Sequence, residues 1–134
     1  MIELRICEDG DWESIADPVE MGLPEQNVFQ DSVGLTAIVD GEIRVVGGIW
    51  LVDEDTGYLW MKISKQISKH PKQLMRVLRE GLAILDDSFG VPHILTYVDE
   101  NFVQGDRLCR LMGLERTEES KEHENKRYFV YKLR

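Results

Sequence analysis

One segment constrains the fold of this chain more than any other, because a strand, a long helix and a second strand follow one another in it. Apolar residues recur at helical spacing from Pro71 to Phe89. Proline is favoured at the first position of a helix, and Gly90 is a typical stop after the last one. The strands Tyr58–Ile63 and His93–Val98 flank this helix. Such a unit makes a right-handed crossover, so the two strands are predicted to run parallel. They are also predicted to diverge at their carboxyl ends. The helix is predicted to bury Leu74, Val77, Leu78, Leu82 and Leu85 on the sheet.

Short strands with turn signals make up most of the remaining chain. Asp40-Gly41 is a strong signal for a two-residue hairpin. Gly47-Gly48, in the second strand of that hairpin, indicates a bulge or a close approach of neighbouring backbone. The charged stretch Glu115–Lys126 is predicted to be a solvated loop or hairpin. The predicted strands are Ile2–Ile6, Leu35–Val39, Ile43–Val52, a short one at Leu114–Glu118, and Arg127–Leu133.

Two further helices follow from weaker patterns. Apolar residues at helical spacing predict a helix within Glu8–Met21, and an irregular loop is expected over Glu25–Asp31. Another helix is predicted from about Asn101 to Met112, with Gly113 at its end. The predicted fold class is therefore α/β (α+β), with a mixed, mostly antiparallel sheet flanked by helices in a single domain over residues 1–134.

Composition narrows the classes of partner. The chain has 25 acidic and 16 basic residues, a net charge of −9, which opposes a nucleic-acid partner and disfavours anionic membranes. The acidity suits basic substrates such as amines, although a solubilising surface is the simpler explanation of it. Cys7 and Cys109 form no CxxC pair, and lone thiols suit a reducing cytosol. The start of the chain lacks a signal-peptide pattern, and no apolar run is long enough for a membrane span, so a cytoplasmic location is predicted.

The order of these elements resembles the GNAT superfamily of acetyl-CoA-dependent N-acetyltransferases. Three segments carry the resemblance: the hairpin Ala37–Gly48, the strand–loop–helix Tyr58–Phe89, and the strand–helix–glycine segment Tyr97–Leu114. More narrowly, the chain resembles short GNAT-like proteins of tailed bacteriophages, which implies a host cytoplasm or a virion as its location. The resemblance implies acetyl-CoA as cofactor and a small-molecule or protein amine as acceptor.

The family binds the pyrophosphate of its cofactor with a loop of the form Q/R-x-x-G-x-G/A, in which backbone N–H groups and a helix N-terminus cradle the anion. Gln66–Pro71 stands at that place here. Lys69 and Pro71 occupy the glycine positions, and Pro71 also removes one N–H donor. Side-chain charge from Lys69, His70 and Lys72 compensates if the loop still binds phosphate. The alternative is that Pro71 only starts a helix and the lysines are solvated.

The resemblance also places acetyl-CoA along the two diverging strands. Main-chain N–H groups of the Met61–Ile63 region would polarise its thioester carbonyl. Asn101 corresponds to an asparagine of the family, one residue out of register. The implied cofactor-binding residues are Met61, Ile63, Ser68, Lys69, His70, Lys72 and Asn101.

Acetyl transfer needs one group to take a proton from the amine and another to return one to the thiolate. The family often places a tyrosine four residues before the helix-ending glycine, and Cys109 stands there in this chain. Cys109 is a candidate acid, or simply a small side chain of the core. Glu54, Asp99 and Glu100 are candidate bases or solvated acids, and Glu100 and Cys109 form the predicted catalytic pair. His93 and His123 show no metal-ligand pattern, so no metal site is predicted.

Two interpretations of function therefore stay open. The first is an active N-acetyltransferase. The second is a non-catalytic GNAT-like protein with a protein partner, such as a virion component or an inhibitor of a host protein. The missing glycines and the missing tyrosine favour the second, and the fold itself is neutral because one fold hosts many functions.

Overall fold

An eight-stranded sheet runs through the molecule, and the computed structural model describes residues 2–22 and 33–134 of the chain. The strands are β1 (Ile2–Ile6), β2 (Pro18–Met21), β3 (Val33–Val39), β4 (Glu42–Leu51), β5 (Thr56–Ser64), β6 (His93–Asp99), β7 (Glu115–His123) and β8 (Lys126–Lys132). The helices are α1 (Pro71–Phe89) and α2 (Gly105–Leu111), and a 3-10 turn (Ile67–Lys69) precedes α1. The loop expected over Glu25–Asp31 lies outside the described residues.

The strand order is β1-β3-β4-β5-β6-β8-β7, and β2 lies beside β5 outside that path. Every neighbouring pair is antiparallel except β5 and β6. These two pair in parallel only from Thr56 to Tyr58, opposite His93 to Leu95. The predicted parallel crossover and the divergence of its strands are therefore confirmed.

Helix α1 covers the sheet with the face that its sequence periodicity predicts. Leu74, Val77, Leu78, Leu82 and Leu85 are its buried residues, as expected. The helix ends at Gly90, whose φ of 60° is left-handed and whose N–H donates to the Asp86 carbonyl at 2.8 Å. Both helices pack on this face, where their apolar residues share one core with Leu59, Met61 and Ile63 of β5.

The opposite face of the sheet carries aromatic side chains, because residues alternate between the two faces of a strand. Trp50 and Tyr58 are register partners on β4 and β5, and their rings meet edge to face at 5.9 Å between centroids. Trp60 packs in the same way on Trp12, also at 5.9 Å. Trp50 and Tyr58 therefore pack across neighbouring strands, and Trp60 is covered by the segment before β2.

The helix predicted within Glu8–Met21 is wrong. Residues 9–14 form turns, and Pro18–Met21 is the strand β2. The carboxylate of Asp11 accepts the N–H of Glu8 at 2.8 Å and so closes a turn where a helix would continue. Proline at position 18 disfavours a helix further, since it has no N–H to donate.

Helix α2 is shorter than predicted, because it begins at Gly105 and not near Asn101. The N–H of Asn101 donates to Oδ1 of Asp99 at 2.9 Å, a local turn that competes with a helix. Gly105 touches β6 so closely that an added Cβ would clash with Cγ1 of Val98.

Strand β7 is longer than the short strand predicted at Leu114–Glu118, and it joins β8 in a hairpin. The two turn residues are Glu124 and Asn125, with φ of 50° and 66°. The hairpin was one of two predicted alternatives for this charged stretch. A strand at the edge of a sheet is protected from pairing with other chains by such charges.

Gly47-Gly48 marks a close approach of backbone and not a bulge. The register between β4 and β5 is continuous through both residues. A Cβ on Gly47 would lie 3.2 Å from the Cβ of Met61 on the neighbouring strand. The register shift of this hairpin lies between the pairs Ala37–Val45 and Ile38–Ile43, where Arg44 of β4 is the extra residue.

Candidate functional site

The diverging ends of β5 and β6 form the region that sequence analysis assigns to a cofactor, and strand β2 lies between them. Pro18–Met21 pairs antiparallel with the second half of β5, from Ser64 back to Met61. At the end of β2, the N–H of Gly22 donates to the carbonyl oxygen of Tyr97 on β6 at 2.9 Å. The chain itself therefore fills the space where the two parallel strands separate.

Met61 and Ile63, two predicted cofactor-binding residues, lie in this part of β5. Their side chains are buried in the core under α1. Val19 is the register partner of Ile63, and Met21 is that of Met61 on the edge that faces β6. The other edge of β5 pairs with β4 over the same residues. The structure thus pairs both edges of the strand whose main-chain groups were predicted to polarise a thioester.

The segment before β2 is fixed to the sheet through Asp11, a buried carboxylate. Arg5 donates to both of its oxygens, at 2.7 and 3.0 Å, and the hydroxyl of Thr36 donates to Oδ2 at 2.7 Å. These donors, the Arg5 guanidinium first, hold the pKa of Asp11 well below its usual range, although burial acts in the opposite direction. Asp11 therefore ties the turn after β1 to both β1 and β3.

Lys62 gives the same segment a second attachment. Its side chain is buried on the face of the sheet opposite the helices, and its Nζ donates to the Trp12 carbonyl at 2.9 Å. The same ammonium lies 4.8 Å from the centre of the Trp12 ring, within the range of a cation–π contact. Lys62 was not among the predicted site residues, because a lysine in an apolar strand carries no motif.

The predicted phosphate loop lies beside a polar cavity at the start of α1. Lys69 and His70 line it, Lys72 is exposed in the first helical turn, and the backbone of Ser68 belongs to the 3-10 turn. The first amides of a helix have no intrahelical acceptor, so they are available to an anion. The cavity has a volume of about 350 Å³ and is lined by Asp17, Val39, Asp40, Arg44, Gln66, Ile67, Lys69, His70 and Gln73.

Arg44 is a cationic residue of this cavity that sequence reasoning missed. Its Nη1 donates to Oε1 of Gln66 at 2.7 Å, so the glutamine that heads the predicted loop is bonded to a neighbouring strand. Asp17 and Asp40 bring carboxylates to the same cavity. No sequence pattern links position 44 to position 66, since only the pairing of β4 with β5 brings them together.

Glu100 and Asn101 lie in an exposed turn directly after β6. The N–H of Glu100 donates to the Arg127 carbonyl at 3.0 Å, which fixes the turn against β8. Because β5 and β6 are parallel, this turn and the loop after β5 lie at the same end of the sheet. The structure therefore places Glu100 and Asn101 at the same end as Lys69 and His70.

Cys109 lies in a different environment from Glu100. It is 0% exposed and belongs to the core between α2 and the sheet. Burial raises the pKa of its thiol to about 12, so the side chain stays protonated at neutral pH. Tyr131 of β8 is also buried, and its hydroxyl donates to Asp106 at 2.9 Å. Of the two interpretations of Cys109, burial favours the core residue.

A pair of tyrosines at the divergence of β5 and β6 was not predicted as a site. The hydroxyl of Tyr97 donates to that of Tyr58 at 3.0 Å, and their rings meet edge to face at 5.2 Å. Tyr58 belongs to the last pair of the parallel ladder. The sequence signal that could have indicated this pair is the position of both tyrosines on neighbouring strands, on the face opposite the helices.

Among the solved structures that resemble nearly the whole chain are three acetyltransferases. The ribosomal-protein-S18-alanine N-acetyltransferase from Escherichia coli has a TM-score of 0.69 at 12% identity, covering 99% of this chain and 93% of its own. The IAA acetyltransferase from Bacillus cereus has a TM-score of 0.68 at 11% identity, covering 99% of both chains. A GNAT family acetyltransferase from Elizabethkingia anophelis with acetyl-CoA bound has a TM-score of 0.67 at 11% identity, covering 98% of this chain and 97% of its own.

The chain has the GNAT acyl-CoA N-acetyltransferase fold. Identities near one residue in eight show this fold alone, and the bound acetyl-CoA is a property of the Elizabethkingia protein. No family model matches the sequence, and no curated protein does. The three neighbours are bacterial proteins, so the narrower resemblance to phage proteins stays a prediction.

Within residues 2–22 and 33–134, no three histidine, cysteine, aspartate or glutamate side chains are grouped so that they could hold a metal ion. None of the helices in those ranges combines the length and the apolarity needed to cross a bilayer.

Proposed function

We propose that this chain binds acetyl-CoA and transfers its acetyl group to an amine. The observation that carries the proposal is the diverging parallel pair β5–β6 in a fold shared with acetyltransferases over nearly the whole chain. The polar cavity at the start of α1 supports it, since this cavity lies at the end of the sheet where the strands separate. The E. coli neighbour is named as an N-acetyltransferase, which supports an amine as acceptor.

The phosphates of the cofactor would bind at Ser68–Lys72. Lys69 and Lys72 would supply charge-assisted contacts, each worth roughly 1.5–3 kcal/mol, in place of the family's glycine cradle. The dipole of α1 favours an anion at its first turn. His70 and Arg44 line the same cavity and add donors there.

Acetyl-CoA supplies an acetyl group already activated as a thioester. During transfer the amine nitrogen bonds to the acetyl carbon, the carbon–sulfur bond breaks, the amine loses a proton, and the departing thiolate gains one. Glu100 is the proposed base, because its exposed carboxylate follows β6 at the end of the sheet where the proposed phosphate-binding residues lie. Asn101 beside it would orient the cofactor or the amine.

The proposed role of Glu100 can be tested against a matched carboxylate. Glu54 is an exposed acid in the turn before β5, at the opposite end of that strand. Formation of acetylated product from acetyl-CoA and a panel of small amines and lysine peptides would be followed by mass spectrometry. We expect Glu100→Gln to lower the rate at least about tenfold and Glu54→Gln to leave it within about twofold. Equal rates in both variants would remove Glu100 from the mechanism.

A second candidate function is a non-catalytic protein with this fold that binds a protein partner. One observation favours it: β2 pairs with the edge of β5 that a cofactor arm would use. The absence of any acetyl-CoA binding, in a chain that remains folded, would decide for this candidate.

A further inference from the structure

We infer that strand β2 is an intramolecular competitor of acetyl-CoA: it occupies the edge of β5 along which the acyl arm would bind, and it leaves that edge when the cofactor binds. The inference rests on the proposed function, and it adds a built-in control of the same site. It starts from the pairing of Pro18–Met21 with Met61–Ser64 between the diverging strands.

The edge of a strand has only one set of N–H and C=O groups to offer. Over Met61–Ile63, one edge of β5 pairs with β4 and the other pairs with β2. An extended ligand that used the second edge would need the same groups that β2 now uses. Two occupants of one edge exclude each other, so the cofactor arm and β2 cannot be bound together.

Strand β2 is bounded by turn residues at both ends. Asp17 before it has a φ of 51°, and Gly22 after it has a φ of 105°. The strand itself has only four residues, and the first of them is a proline without an N–H to donate. The segment before it stays attached to the sheet through Asp11, so release of β2 does not require release of that segment.

Gly22 is the residue at which the position of β2 can be disturbed selectively. An added Cβ would lie 3.2 Å from both Cα and Cβ of Trp60, and the left-handed φ of Gly22 disfavours any other residue. Gly22→Ala should therefore weaken the attachment of β2 to β5 and β6. Gly90→Ala is the matched control, because Gly90 also has a positive φ but nothing lies within 4 Å of the added Cβ.

Amide exchange on the unmodified chain gives the first test. In the free protein, the N–H of Gly22 is held by Tyr97 and should exchange slowly. Ligands usually slow exchange at their sites, but saturating acetyl-CoA should speed exchange at Gly22 at least about tenfold. The nucleotide half of the cofactor, 3′-phosphoadenosine 5′-diphosphate, lacks the pantetheine arm and should leave this amide protected. Unchanged or slower exchange at Gly22 with acetyl-CoA bound would overturn the inference.

Calorimetry on the variants gives the second test. If β2 competes, Gly22→Ala should bind acetyl-CoA at least about tenfold more tightly than the parent. In this variant, β2 occupies the edge of β5 in a smaller fraction of the molecules. Gly90→Ala should bind as the parent does, and both variants should bind the nucleotide half equally. Equal acetyl-CoA affinity in the parent and in Gly22→Ala would contradict the inference alone. No binding to either folded protein would contradict the proposed function as well.

Discussion

Gly22 donates its backbone N–H to the carbonyl oxygen of Tyr97 at 2.9 Å, which joins the end of β2 to β6. On its other side β2 pairs with β5. The two parallel strands of this GNAT fold therefore diverge around a strand of the same chain. The stability of the segment 2–22 and the accessibility of the proposed cofactor edge therefore both depend on how firmly β2 is held.

The packing of α1 can be tested with two leucine-sized truncations on one helix. Leu78 is 4% exposed in the core, whereas Ile84 is 43% exposed on the outer face. Leu78→Ala should lower the free energy of unfolding by about 2–5 kcal/mol, since it leaves a cavity. Ile84→Ala should cost less than about 1 kcal/mol. Urea denaturation of both variants measures the difference, and equal losses would mean that the buried face is misassigned.

Asp11 gives the protein a pH-dependent stability. Its pKa is lowered in the folded state, so its stabilising contribution is complete above the unfolded pKa of about 3.9 and is lost as pH falls through the lower folded value. Asp11→Asn should cost about 1–3 kcal/mol at pH 7, because the amide lacks the negative charge and one of the two acceptor oxygens that Arg5 uses. The gap between parent and variant should narrow below about pH 4. Thermal unfolding from pH 7 to pH 3 tests this, and a gap that does not change with pH would contradict it.

The long helix and its two strands could be predicted because local periodicity and chain connectivity determine them. The segment Glu8–Met21 could not, since its turns depend on contacts that are distant in sequence. Asp11 bonds to Thr36, 25 residues away, and Lys62 bonds to the Trp12 carbonyl, 50 residues away. A few apolar residues at helical spacing are a weaker influence than a buried carboxylate with several donors.

The lysines at the start of α1 should contribute to cofactor affinity. The double variant Lys69→Ala, Lys72→Ala should bind acetyl-CoA at least about tenfold more weakly than the parent, because two charge-assisted contacts to phosphate are lost. Added salt should weaken binding to the parent as well, since these lysines are exposed and their charges are screened. Calorimetry at two ionic strengths measures both effects. If the double variant binds as tightly as the parent, the phosphates bind elsewhere.

Cys109 should act in packing and not in transfer. Its thiol is fully buried, and burial raises its pKa to about 12. Cys109→Ala should keep the rate of acetyl transfer within about twofold and lower the free energy of unfolding by about 1 kcal/mol. Rate and stability would be measured on the same preparation. A large loss of rate with unchanged stability would return Cys109 to the catalytic set.

The candidate site was predicted in part. Lys69 and His70 do line a cavity at the start of α1, because the order of strand, loop and helix already places them there. The pairing of β2 with β5 could not be read from the sequence, since it joins residues about forty positions apart and no motif marks it. Arg44 could not be predicted for the same reason, because only the pairing of β4 with β5 brings it to the loop.

The most direct test of the account is a calorimetric titration of the parent chain with acetyl-CoA at low salt. We expect saturable heat with one site per chain. At a concentration of one hundred times Kd, the cofactor should add about 2.7 kcal/mol to the free energy of unfolding. No heat and no change in Tm at millimolar acetyl-CoA, in the parent and in Gly22→Ala alike, would contradict the claim that this fold still binds its cofactor.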